Sequence, residues 1–225
     1  MKKLISFLFS LFILQNTAIG QQSQPEKQLG TWTVYNGFFN LSPKYELFIE
    51  SQLRTWQPYQ NIETWCFRPY ISYRVKPSHL IGLSTEYFAN YNYGEPKTHV
   101  NEFRLGIQDL FFYKVGRAVM QHRTRYEFRF FDDLPNTQRI RYRIQLALPL
   151  NKHDFKKGGI IWIINNEIFI NTYPKLQYNQ NRLYTSLGYN FTDNFNLQMG
   201  YQLWDRRDGT FNRFHIIFTQ KANLY

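Results

Sequence analysis

The chain has 225 residues, 27 Lys and Arg against 16 Asp and Glu, a formal charge of +11 and one Cys. A single Cys excludes an intrachain disulfide. Aromatic residues make up 19% of the chain while the mean hydropathy is −0.50, and past Leu14 no apolar run reaches the ~18–20 residues of a membrane helix, which excludes a helical membrane protein.

The N-terminus reads as a secretory signal peptide. Met1-Lys2-Lys3 is basic, Leu4 to Leu14 is apolar, and Ala18-Ile19-Gly20 is a small-x-small site before Gln21. Residues 1–20 are therefore expected to be cleaved, and 21–225 to form one exported domain. Basic charge raises nucleic acid as a partner, but export and the alternation of the Arg along strands argue against it.

Alternating strands follow. The first is expected over Gly30 to Phe39, and Pro43 turns it into Tyr45 to Trp56. There Tyr45, Leu47, Ile49 and Leu53 oppose Glu46, Glu50, Gln52 and Arg54. A loop from Gln57 to Thr64 leads to Trp65–Val75, where Arg68, Ser72 and Arg74 share a face and Pro69 removes a donor. Leu80–Tyr91 carries Ser84 and Glu86, and His99–Phe112 carries Glu102 and Arg104 on the polar face.

Two long runs between Arg117 and Leu150 carry the strongest pattern. In the first, Arg117, Arg123, Arg125, Glu127 and Arg129 alternate with residues such as Met120, Tyr126 and Phe128. In the second, Arg139, Arg141 and Arg143 alternate with Ile140, Tyr142 and Ile144. A period of two puts successive side chains on opposite faces of a strand. Gly159–Asn171 follows with Glu167 on its polar face. Arg182–Phe191, Phe195–Trp204 and Phe211–Thr219 (with Arg213 and His215) complete the set.

Runs of this length, apolar on one face and charged on the other, point to a transmembrane antiparallel up-and-down β-barrel. Eleven strands are counted. Since single-chain bacterial barrels have an even number, twelve are expected, with ten as the fallback. Tight connections alternate with longer ones, which fits short periplasmic turns, longer outer loops and a first strand running inward from the cell surface. A soluble exported β-sandwich is the alternative fold.

The chain resembles an uncharacterised bacterial outer-membrane family, domain of unknown function 2490, common in Bacteroidota. The likeness rests on Gly30-Thr31-Trp32-Thr33 after the signal peptide, on Glu50-x-Gln52-x-Arg54, on Glu102-x-Arg104, and on the pair Arg123 to Glu127 and Arg139 to Arg143. It implies a barrel in the outer membrane of a Gram-negative bacterium and no particular activity.

An Arg facing the middle of a bilayer costs about 2–4 kcal/mol, so the Arg rows should turn inward. The candidate lumen-lining residues are Glu50, Arg54, Arg68, Arg74, Glu86, Glu102, Arg104, Arg123, Arg125, Glu127, Arg129, Arg139, Arg141, Arg143, Glu167, Arg182 and Arg213. With Arg117 and Glu46 this makes thirteen Arg against six Glu, so seven cations lack an inward carboxylate on a one-to-one count.

Three readings of such a lumen stay open. Arg–Glu pairs can crosslink the wall into a closed structural barrel. Alternatively Arg125, Arg129, Arg139, Arg141 and Arg143 can line a narrow pore for small anionic solutes. The third reading is an enzyme acting on outer-membrane lipid. His122 is expected on the outer face, and His215 and the pair Ser84 and Glu86 on the inner, but no triad is recognisable. The five His are scattered without ligand spacing, and no cofactor is expected. Cys66 is expected inside as a small filler.

Overall fold

The computed structural model describes residues 28–93 and 96–225. The expected signal peptide and the start of the mature chain lie outside them. Eleven strands form one closed barrel: β1 (Gly30–Asn40), β2 (Tyr45–Gln57), β3 (Gln60–Lys76), β4 (His79–Tyr91), β5 (His99–Val115), β6 (Ala118–Phe131), β7 (Thr137–Pro149), β8 (Ile160–Tyr173), β9 (Gln177–Asn190), β10 (Phe195–Arg206) and β11 (Gly209–Asn223).

The count corrects the expected twelve strands. Each strand pairs antiparallel with the next, but an odd meander brings its first and last strands together in the same direction. β1 and β11 accordingly pair in parallel, from Gly30 beside Arg213 to Asn40 beside Asn223. The seam carries side-chain bonds of its own: Tyr35 Oη donates to Gln220 Oε1 at 3.0 Å and Asn40 Nδ2 to Asn223 Oδ1 at 2.7 Å.

All odd-numbered strands end at one rim, named here for Asn40, and all even-numbered strands end at the other, named for Gly30. The expected contrast between tight and long connections does not hold. Pro58 and Tyr59 alone join β2 to β3, and Arg207 and Asp208 alone join β10 to β11. The longest connection, residues 150–159, lies at the Asn40 rim, where tight turns prevail otherwise. Strand ends extend well into what composition marks as loop, because ladder hydrogen bonds to two neighbours outweigh local turn preference. Arg117, expected on a strand, sits exposed in the two-residue turn between β5 and β6. Pro69 lies inside β3, and the β3–β4 ladder skips Arg68 and Pro69 where the donor is missing.

The outer wall is apolar around the barrel. Leu83, Ile107, Ile144, Leu187 and Met199 stand exposed at mid-height. Aromatic residues bound them on both sides: Tyr45, Tyr73, Phe111, Tyr113, Tyr189 and Phe195 toward the Asn40 rim, and Trp65, Tyr87, Phe103, Phe130, Tyr173 and Tyr178 toward the Gly30 rim. His122 lies on this outer wall, its Nδ1 2.6 Å from Tyr142 Oη and its ring stacked on Tyr113. His79 and Asp109 pair there close to the Asn40 rim.

Candidate functional site

The interior inverts a soluble core, with charged side chains among its most deeply buried groups. Arg125, Arg213, Glu86, Glu102 and Glu127 are each under 2% exposed. Such burial is tolerated only where each charge is paired and hydrogen-bonded, and the strand register supplies the pairing. Arg125 of β6 stands opposite Arg141 of β7, and Glu127 stands opposite Arg139. Two guanidinium groups directly across an antiparallel ladder repel. Glu127 relieves that repulsion by taking three of them: Arg125 at 3.2 Å, Arg141 at 2.6 Å and Arg139 at 2.5 Å.

From this centre the pairs extend both ways. Arg141 also reaches Glu167 of β8 at 2.9 Å, and Arg123 reaches the same carboxylate at 2.7 Å. Arg125 pairs with Glu86 of β4 and donates to Tyr70 Oη of β3. Arg68 binds Glu86 at 3.1 Å and pairs with Glu50 of β2. Gly106 of β5 makes room for this crossing: a Cβ there would lie 2.4 Å from Ser84 Oγ and 3.1 Å from Arg125 Nη2.

Aromatic groups carry the layer around the remaining wall. The Arg141 and Arg182 guanidiniums lie over Phe169 of β8 at 4.4 and 4.7 Å. Arg182 of β9 also lies 5.1 Å from the Trp32 ring of β1, and Arg54 of β2 covers that ring at 4.0 Å. Cation–π contact and ion pairing together form a continuous circuit through β2, β3, β4, β6, β7, β8, β9 and β1. Its side chains all point inward. A cavity of about 410 Å³ opens toward the Asn40 rim and one of about 560 Å³ toward the Gly30 rim. Arg68, Arg141 and Arg182 line both, so the circuit is the floor between them.

The remaining candidates lie above and below this floor. Glu102 holds Arg104 at 2.5 Å and Arg129 at 2.5 Å toward the Gly30 rim. Arg74 pairs with Glu46 at 3.2 Å near the Asn40 rim. Among the described residues Arg143 has only Gln121 as partner, and Arg54 donates from Nε to Gln52 Oε1 at 2.8 Å. Four of the five Arg expected to form a selectivity group are thus held by carboxylates, and Arg143 is the exception.

Arg213 reaches Glu63 Oε2 at 3.2 Å. Glu63 was expected in a loop, yet it is buried. The register shifts at Arg54 and Thr55, so that Thr64 and Ile62 are paired while Glu63 between them is not. Such a bulge turns two successive side chains, Glu63 and Thr64, to the same interior. Strict alternation cannot find it.

Cys66 is fully buried. Ser84 donates to Glu86 at 2.9 Å, but that carboxylate is already engaged by Arg68 and Arg125 and is unsuited to act as a base. His215 stacks on Trp32 with ring centroids 4.7 Å apart, beside the hydrophobic cluster of Trp32, Val34, Trp204 and Phe211.

The family described as "Protein of unknown function (DUF2490)" matches residues 29–215. The chain belongs to this family. The matched span runs from the residue before β1 to the His215 that stacks on Trp32 in β1, so it takes in the whole charged floor. Compared with curated proteins and with solved structures, the chain has no match.

Proposed function

We propose that the protein is an outer-membrane β-barrel, exported to a Gram-negative cell surface, whose lumen is closed at mid-height by its own ion-paired floor. The observation that carries this reading is the circuit linking Glu50, Arg68, Glu86, Arg125, Glu127, Arg141, Glu167 and, through Phe169 and Arg182, Trp32 and Arg54. An open anion pore needs guanidinium groups facing water. Here most of them face carboxylates.

Membrane embedding is supported by the outer wall. Aliphatic side chains at mid-height between two aromatic bands match the lipid-facing belt of outer-membrane barrels. The role that follows is a lipid-embedded scaffold with two separate vestibules, one at each surface.

Conductance in a planar bilayer tests the closed lumen. The refolded protein is expected to insert and pass no steady current, and the variant E127Q to show current steps as the floor loosens. Well-resolved anion-selective steps in the wild type would overturn the closed reading and favour the pore.

A further inference from the structure

We propose that the vestibule at the Gly30 rim holds a water-borne oxyanion, a carboxylate- or phosphate-bearing small molecule, between Arg54 and Arg182. Most lumen arginines have a carboxylate within ion-pair distance, but these two have none among the described residues. The carboxylates lining this vestibule are already engaged: Glu63 by Arg213, Glu102 by Arg104 and Arg129, and Asp208 by Arg206. The lumen therefore carries two uncompensated positive charges on this side of the floor, a condition that concentrates anions.

The two cations also converge. Both lie against the Trp32 ring, at 4.0 and 5.1 Å, and both line the 560 Å³ cavity, where we place one small anion between them. Aromatic contact holds Arg182 in place, with Phe169 and Trp204 each 4.7 Å from its guanidinium carbon. Those rings orient the guanidinium without neutralising it.

Buried donors complete the site. Arg182 Nε and Gln180 Nε2 have no acceptor among the described residues. Gln180 is 6% exposed, and the Trp204 indole N–H donates to its Oε1 at 2.9 Å. An indole nitrogen can only donate, so the amide oxygen must face it and the amide NH2 is left for something else. A buried donor without a partner is costly, and an oxyanion satisfies it together with the two guanidiniums. The site faces the lumen rather than the outer wall, which favours a dissolved anion over a lipid headgroup.

This inference goes beyond the closed-barrel reading and stands without it, because binding is measured in detergent micelles and involves neither lipid nor current. The full chain is refolded and its thermal midpoint followed against inorganic phosphate, with sodium chloride at matched ionic strength as reference. The expected result is a saturable rise in midpoint with phosphate beyond that with chloride. R182Q and R54Q should each weaken the apparent affinity about tenfold or more, the equivalent of one charge-assisted hydrogen bond. R143Q, on the far side of the floor, should titrate like the wild type. Should R182Q fail to refold, R54Q carries the same test. No saturable rise, an R54Q titration that matches the wild type, or an equal loss in R143Q overturns the assignment.

Discussion

Arg125 and Glu127 lie two residues apart on β6 and pair with each other at 3.2 Å, both side chains wholly withdrawn from solvent. The spacing of two places them on one face of the strand, and the strands opposite bring Glu86, Arg139 and Arg141 to the same point. A buried carboxylate shared by three guanidiniums is a joint whose removal leaves several charges uncompensated at once.

Replacing Glu127 by Gln is therefore expected to destabilise the barrel by roughly 3–5 kcal/mol, the usual cost of breaking a buried ion pair from one side. Glu46, which pairs with the partly exposed Arg74, is the contrast. Its change to Gln should cost about 0–1 kcal/mol. Urea titration of folding into phospholipid vesicles measures both, and equal costs would mean that the floor is not the stabilising layer.

Leu83 tests the outer wall. It is 58% exposed at mid-height on β4. If lipid covers this belt, Leu83→Arg should cost about 2–4 kcal/mol. On a water-facing surface the same change is expected to stay within about 0.5 kcal/mol. The vesicle-folding assay separates the two, and a cost below about 1 kcal/mol would count against membrane embedding.

Cys66 reports on the floor without any mutation. It has no exposed surface and sits in register with Gln52 and Phe88, close to the Arg68 level. A charged thiol reagent should label it at least about a thousandfold more slowly in the folded protein than in denaturant, since access requires an opening of several kcal/mol. The same reagent should react faster with E127Q. Rapid labelling of the folded wild type would show that water reaches the barrel's waist.

Much of this protein is determined by its sequence alone. Alternation is a local property of extended backbone, so the side chains of Arg123, Arg125, Glu127 and Arg129 share a face whatever strand lies beside them. The same holds for Arg139, Arg141 and Arg143, and for the apolar faces that form the outer wall. The eleven strands, too, are visible as alternating runs.

What the sequence left undecided depends on stagger and closure. An even strand number was expected, whereas the chain closes an odd meander through the parallel pair of β1 and β11, a contact between residues nearly two hundred positions apart. Only the bulge opposite Arg54 and Thr55 brings Glu63 inside to Arg213. One-to-one counting left seven cations over, but Glu127, Glu86, Glu102 and Glu167 each take two or more, so that Arg54, Arg143 and Arg182 are the interior arginines with no carboxylate partner among the described residues. Sharing is decided by which side chains meet across the lumen, and that distance exists only once the barrel has closed.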